Sequence, residues 1–585
     1  MIALEQLNAS STDHFVAALD GIFEHSPWIA MRAAARRPFA SRLDLLDALC
    51  AVVDSATADE QLALIRAHPE LAGRAAIRNE LTAASTREQR DAGLDACSPE
   101  EFARLQQLNR AYTEKFAFPF ILAVRGHDRA SIIAALGERM QHASLDRGIE
   151  LERRVALDEI ARIAEFRLAA AVSAPLGNEI MAMHERLARF SDDAGALTCT
   201  YLRPAHRTAA ARIRDFMRVA DLEVEIDAIG NVVGRWRCGV PGAKTLITGS
   251  HYDTVVNGGK YDGRLGILLP IACAVELRQR GLALPYDLEI VAFADEEGVR
   301  YRSTFLGSSA LAGTFDPRLL DTVDDSGITM RAALRDAGLD ADRIADIARD
   351  RRDVAAYVEV HIEQGPVLLD AQRALGVVTS IAGSVRMLVT IEGLAGHAGT
   401  VPMALRRDAA AAAAEIILAI EKRCSGIPGL VGTVGKLEVP GGAINVIPGR
   451  CELSIDMRAG DDAVRDAAVA DVLTEIERIA ARRKVSITTR RVLEAAGVPC
   501  ARALQQQFAA AITRITGFAD APHLPSGAGH DAMKMAALAP IGMLFVRCGN
   551  GGISHHPDET LSADDAETAA RAFIDFLLRF QPPTP

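Results

Sequence analysis

Nowhere in the 585 residues do two cysteines form a CxxC pair; the nine present are scattered along the chain. That excludes a thiolate zinc cluster or a disulfide framework and predicts reduced thiols in a cytosol. Aromatic residues are scarce, at 5% against 49% hydrophobic and 24% charged, the composition of a soluble globular protein. No segment reaches the ~20 apolar residues needed to cross a bilayer. Positive charge is not in surplus either. The formal net charge of −12 argues against a general nucleic-acid or anionic-membrane surface. The opening "MIALEQLNASSTDHF" has neither a basic start nor an apolar core, so no export signal is expected. There is no short internal repeat and no sizeable low-complexity tract.

What is present is too long for one hydrophobic core, and two to four domains are expected. Up to about residue 170 helical spacing dominates, as in "LDLLDALCAVVDSA" and "ADEQLALIRAH". Ser98-Pro99-Glu100-Glu101 reads as a helix start, with a cap, a proline and acids in the first turn. A long charged helix with breaks is predicted over 128–168. "AAAVSAPLGNE" (169–179), rich in small residues, then reads as a linker, so that the two halves are expected to work as separate catalysts. Beyond it, β-rich runs ("KTLITGSH", "YDLEIVAFADEEG", "AAYVEVHIEQG") alternate with helices, as in an α/β domain with a largely parallel sheet. Near Gly376 the pattern becomes strand, helix, strand, strand, helix, a small inserted α+β domain, before α/β texture returns near Cys500. The predicted fold is therefore multidomain. An all-α domain spans 1–172, a discontinuous α/β domain spans 178–383 and 497–585, and an α+β lid or dimerisation domain spans 384–496.

Open α/β sheets bind ligands beyond the carboxyl ends of their strands. Here those ends carry metal-capable groups. "TLITGSHYD" ends in His251 and Asp253, with Asp262 after a glycine-rich turn. "EIVAFADEEG" ends in Asp295, Glu296 and Glu297, "YVEVHIEQG" in His361 and Glu363, and "GGISHHPDE" supplies His555 and His556. Imidazole and carboxylate without thiolate suit zinc, manganese or cobalt. Two histidines and three carboxylates suffice for two ions ~3.5–4 Å apart, bridged by a carboxylate and a hydroxide.

With "GSHYDTVVNGGKYDG", "DEEGVRY", "HIEQGPVL", "GHAGTVPM", "NVIPG", "SGAGHDA" and "GISHHPDE" in order, residues from about 178 onward resemble peptidase family M20. Within that family they resemble the branch of allantoate amidohydrolases, N-carbamoyl-L-amino-acid hydrolases and β-ureidopropionases. The resemblance implies two divalent ions (Mn2+ or Zn2+), one held by His251 and His361, the other by Glu297 and His555, with Asp262 bridging. Asp253 would orient the His251 ring, Glu296 would be the general base, and His556 is read as a loop residue. Gly258, Gly259 and Gly263 would let the turn return Asp262 to the ion. His397 would reach a neighbouring copy's site and donate to the developing oxyanion, which implies a homodimer through the lid domain. Gln364, Asn445 and Arg458 match substrate-binding positions, Gln364 marking the ureido branch and Arg458 suiting a substrate carboxylate.

Residues 1 to about 170 resemble the 2-oxo-4-hydroxy-4-carboxy-5-ureidoimidazoline (OHCU) decarboxylases, which are all-helical and need no cofactor. The matching stretches are "FVAALDGIFEHSPWIA", "LIRAHPELAG", "LTAASTREQRDAGLD" and "LNRAYTEKFAFPFILAVRG". The likeness implies His68 and Glu88 as the catalytic pair. It makes Arg167 the holder of a substrate carboxylate, with Arg162 its competitor, and has Pro69, Ser85 and Phe120 lining the pocket. Joined together, the two halves imply a cytoplasmic enzyme of ureide breakdown acting on small molecules, with neither nucleic acid nor membrane as partner. One half would make (S)-allantoin and the other would hydrolyse allantoate to ureidoglycine, NH3 and CO2. The alternative is an N-carbamoyl-L-amino-acid hydrolase or β-ureidopropionase whose N-terminal helices only dock.

Overall fold

The computed structural model describes residues 1–71, 83–144 and 147–583. Ala72 and Gly73 of "LIRAHPELAG" and Leu81 and Thr82 of "LTAASTREQRDAGLD" lie outside that set. The N-terminal part is helical, and its helices begin where the capping chemistry says they should. Pro99–Phe116 starts on a reciprocal cap in which Ser98 Oγ accepts the Glu101 N–H at 3.1 Å and the Glu101 carboxylate accepts that of Ser98 at 2.8 Å. The long charged segment is divided into Arg129–Arg139, a short 3-10 turn and Gly148–Ala171. Apolar faces of these helices and of Arg42–Asp54 and Ala58–Ala67 meet in one buried cluster that includes Leu49, Ile65, Tyr112, Phe116, Leu136 and Ile160.

The second half is built on a nine-stranded sheet. Its centre is four parallel strands in the order Ile541–Val546, Val354–Ile362, Thr245–His251 and Asp287–Phe293. Antiparallel strands flank them: Leu375–Ile381 on one side, Val232–Trp236 and then Glu223–Ile226 on the other. The crossover helix Leu265–Gln279 is buried along nearly all of its length and so is apolar all round, as a helix packed on a parallel sheet must be. Parallel strands bring their carboxyl ends to one edge, where His251, Asp295 to Glu297 and His361 emerge together.

Between Ile381 and Val498 the chain leaves this sheet and builds a second, five-stranded antiparallel one. Strands Gly383–Glu392 and Arg450–Ala459 alternate buried and exposed residues, and their buried side packs on helices Ala409–Cys424 and Asp462–Arg483. Sequence patterning missed the edge strand Ser486–Ala495 and the 223–236 hairpin. "SITTRRVLEA" is exposed almost throughout, so it carries no apolar alternation.

The stretch 169–179 is not a free linker. Helix Gly148–Ala171 runs into it, Val172–Ser173 pairs in parallel with Ile2–Ala3, and helix Leu176–Ala188 begins within it. Val172 and Leu176 are buried. A Cβ added at Gly177 would lie 2.0 Å from the Ala563 carbonyl oxygen, so the small residues serve close helix packing. Leu43 of the N-terminal helices sits in the hydrophobic core of the second half. The pairs Arg42–Glu179, Arg212–Glu165 and Arg186–Asp47 cross the same seam. No helix among the described residues is long and apolar enough to cross a membrane.

Candidate metal centre and a second pocket

The metal-capable residues converge. Asp262 Oδ1 lies 3.2 Å from His361 Nε2 and 3.7 Å from His251 Nε2, and its Oδ2 lies 3.1 Å from His555 Nε2. His555 Nε2 is in turn 3.5 Å from Glu297 Oε1. The groups His251/Asp262/His361 and Asp262/Glu297/His555 each bring their ligand atoms within 4.8 Å of one another, and they share Asp262. Two glycines make this approach possible. Gly263 has φ +65°, and a Cβ on it would meet His251 Nε2 at 2.4 Å; a Cβ on Gly259 would strike the Glu559 carboxyl at 2.2 Å. Gly258 meets only its own loop, with Val255 3.1 Å from an added Cβ.

The surroundings suit cations. Burial drives the Glu296 carboxyl well above its ordinary range and pushes Glu297 up to about 7. Burial also works against Asp262, but hydrogen bonds from three imidazoles hold it well below the usual carboxylate value. The same contacts raise the imidazoles of His251, His361 and His555, the last to about 9, so the cluster gathers positive charge around Asp262, and a divalent ion in each triad would take the place of those protons. The hard and borderline N/O donor set fits zinc or manganese. Asp253, itself buried, stands 3.3 Å from His251 Nδ1 and accepts the backbone N–H of Glu296 (3.1 Å) and of Glu297 (3.2 Å). His361 Nδ1 lies 2.8 Å from the Ile362 carbonyl, which turns Nε2 to the cluster.

Several side chains take roles the sequence did not disclose. Glu363, counted above among the metal-capable groups, caps the next helical turn by accepting the Val367 and Leu368 N–H groups at 2.7 and 2.8 Å, and belongs to none of the ligand groups. Buried Glu559 accepts the N–H groups of Tyr261 and Asp262 at 2.8 and 3.1 Å and so pins the loop that returns Asp262. Its only sequence signal was its place at the end of "GGISHHPDE". His530, in "SGAGHDA", packs its ring 4.5 Å from that of His361. His556 is exposed and pairs with Asp558 in its own loop.

Gln364 donates to Asp262 Oδ2 at 2.9 Å and so borders the metal cluster. The oxyanion-donor candidate His397 and the substrate-binding candidates Asn445 and Arg458 stand apart on the five-stranded-sheet unit. His397 is exposed, pairs with Val446, and its Nδ1 accepts the Gly399 N–H at 3.1 Å; Asn445 is exposed beside it. Arg458 holds Asp456 at two points and donates to the Gly527 carbonyl at 2.7 Å. Among the described residues neither His397 nor Asn445 bonds to a side chain of the metal cluster.

A second cavity, of about 540 Å³, brings together His68, Pro69, Ser85, Glu88, Phe120 and Arg167. Arg162 does not line it, pairing instead with Glu159 and Asp215. His68 Nδ1 lies 3.0 Å from the Leu64 carbonyl, which assigns the proton to Nδ1. Its buried Nε2 has no hydrogen-bond partner among the described residues. Burial lowers the imidazole pKa, so the ring is neutral and offers a lone pair at Nε2. All five N–H groups of Arg167 are engaged: two by Glu88 (both 2.9 Å), the others by Glu24 (2.7 Å), the Gly21 carbonyl (2.8 Å) and Ser85 (3.1 Å). As it stands, Arg167 positions Glu88 and has no donor left for a substrate carboxylate. The far wall of the cavity comes from the second half of the chain, including Val219, Val275, Arg278 and Gln279.

Residues 8–169 match the family OHCU decarboxylase, and residues 247–579 match peptidase family M20/M25/M40. A probable allantoate deiminase of Oryza sativa subsp. japonica is 40% identical over 435 residues, which cover 69% of this chain and 88% of that protein. An N-carbamoyl-L-amino acid amidohydrolase of Geobacillus stearothermophilus is 42% identical over 376 residues, 64% of this chain and 91% of that one. The crystal structure of a hydantoinase/carbamoylase family amidase from Burkholderia multivorans superposes with a TM-score of 0.65 at 29% identity, covering 69% of this chain and 97% of its own.

Proposed function

Because the chain belongs to peptidase family M20/M25/M40 and carries an OHCU decarboxylase domain ahead of it, we propose a bifunctional enzyme of purine (ureide) breakdown. The N-terminal helices convert OHCU to (S)-allantoin. The remainder hydrolyses allantoate to ureidoglycine, ammonia and CO2. The two reactions flank a single ring-opening step, which gives a reason for their fusion. The observation that carries the hydrolase reading is the meeting of two ligand triads at Asp262.

In this reading His251 and His361 would hold one divalent ion and Glu297 and His555 the other, with Asp262 between them. The ions supply Lewis acidity at the scissile carbonyl and make water a better acid. Glu296, buried beside His251 and Glu297, takes the proton of the attacking water and returns it to the departing nitrogen. Gln364, at the edge of the cluster, offers an amide that pairs with a ureido group. In the decarboxylase pocket the Nε2 lone pair of neutral His68 accepts a hydrogen bond from the substrate, and Glu88, fixed by Arg167, faces the same space.

The domain division 1–172, 178–383 with 497–585, and 384–496 belongs to the same proposal. So does a homodimer through the 384–496 unit, in which His397 of a second copy, with Asn445 and Arg458, completes the hydrolase site. Met403, Leu405 and Ile444, in the loops around His397 and Asn445, are 77%, 69% and 104% exposed, apolar surface that a second copy would cover. Nine free thiols fit a reducing cytoplasm.

A second reading, an N-carbamoyl-L-amino-acid hydrolase with non-catalytic helices, is favoured by the 42% identity to the Geobacillus protein. Ammonia release by the purified full chain from allantoate and from N-carbamoyl-L-amino acids, before and after chelation, separates the two. Allantoate should be preferred, chelation should abolish turnover, and Mn2+ or Zn2+ should restore it. Preference for a carbamoyl amino acid would carry the second reading, and full turnover without metal would remove the metal mechanism.

A further inference from the structure

The decarboxylase-like cavity is not closed by the decarboxylase-like helices. One wall is the C-terminal end of Leu265–Gln279, the sheet-crossing helix of the hydrolase half, together with Val219 and Asp221 at the end of Pro204–Val219. The two halves are fastened beside it. Gln279 Nε2 donates to the Ala169 carbonyl, Arg125 Nη1 donates to the Val219 carbonyl at 3.4 Å, and Val275 is buried against the seam.

Charge decides what this wall does. On the opposite side His68 is neutral, and the single positive charge of Arg167 meets both Glu24 and Glu88 with every donor used. That inner group sets one guanidinium against two carboxyl groups and leaves no donor for an anion. Two further guanidiniums line the cavity: Arg125, which lies over Phe166 at 4.7 Å and donates across the seam to Val219, and Arg278, which comes from the hydrolase half. Arg278 is exposed at the cavity wall, its guanidinium lies over the Trp236 ring at 3.7 Å, and among the described residues it makes one hydrogen bond, from Nη2 to the Asp221 carbonyl at 3.3 Å. A guanidinium fixed by stacking, with unspent N–H groups at a cavity wall, is prepared for a carboxylate.

Resting on the decarboxylase reading above, we propose that Arg278, contributed by the hydrolase half, binds the carboxylate of the decarboxylase substrate, so that the first active site is completed by the second half of the chain. Arg278 holds the anionic end while His68 Nε2 and Glu88 face the other.

The test uses the full-length chain and steady-state decarboxylation of OHCU. Arg278→Gln keeps a flat polar head over Trp236 but removes the charge. It should raise KM about 10- to 100-fold, the loss of a charge-assisted contact, with kcat within about threefold. Arg278→Lys should recover part of that loss. Allantoate hydrolysis and the melting temperature should stay at wild-type values, which a merely structural role for Arg278 would not allow. Wild-type KM in Arg278→Gln, with an active parent, would overturn this inference alone. A parent chain that does not decarboxylate would overturn the decarboxylase reading and this inference with it. Loss of both activities together would make Arg278 a structural residue and also overturn it.

Discussion

Asp253 accepts the backbone N–H groups of Glu296 and Glu297 while its carboxylate stands 3.3 Å from His251 Nδ1. One buried side chain thus fixes both the ring of a proposed metal ligand and the turn that presents the proposed base and its neighbour. Asp253→Ala should lower metal affinity about 10- to 100-fold, as loss of a ligand-orienting carboxylate does. Titration of the metal-free variant with Mn2+ would show it; unchanged affinity would mean that Asp253 holds only the backbone.

Glu296 and Glu297 are adjacent but have different proposed tasks, base and metal ligand. Glu296→Gln should keep near-normal metal content and lose at least ~10²–10⁴-fold in allantoate hydrolysis. Glu297→Ala should lose an ion. Metal analysis of both purified variants decides the matter, and equal metal loss from the two would exchange their roles.

His68 gives the decarboxylase a pH signature. Burial lowers its pKa below the ordinary 6.5, so in the folded protein it stays neutral at neutral pH and gains a proton only on the acid side. The decarboxylation rate should therefore be flat from neutrality down to 6.5 as far as this group is concerned, with its acid limb below 6.5. The same sign holds for stability: the full contribution is present above 6.5 and falls away as the pH drops towards the lowered value, since the unfolded chain takes the proton first. His68→Ala should abolish decarboxylation and leave allantoate hydrolysis within about twofold. A pH–rate profile whose acid limb lies above 6.5 would contradict a neutral buried ring.

Gly177 tests how the connecting stretch is held to the C-terminal helix. A single added methyl would lie 2.0 Å from the Ala563 carbonyl oxygen and 3.0 Å from Glu567 Cβ. Gly177→Ala should destabilise the protein by about 1–3 kcal/mol, the usual cost of overpacking. Calorimetry of the full chain would register it as a lower melting temperature. A wild-type melting temperature would mean that the two helices part easily.

The amino-acid order by itself picked out most of the side chains that the fold brings together. His251, Asp262, Glu297, His361 and His555 stand at or just beyond the ends of β-rich runs or in a loop that follows one, and parallel strands must deliver such ends to one edge of the sheet. His68 and Glu88 were recognisable by their surrounding stretches. The reading failed where the answer depended on what faces what. "AAAVSAPLGNE" has the composition of a linker, yet small residues serve close helix packing equally well, and only the position of Ala563 against Gly177 distinguishes the two. Arg167 had the right residue type for a carboxylate, but its five donors are taken by groups up to 146 positions away in sequence. Arg278 looked like one more charge on a helix. Its place in the wall of the other half's cavity comes from how the two halves pack, through contacts remote along the chain that no local pattern of residues encodes.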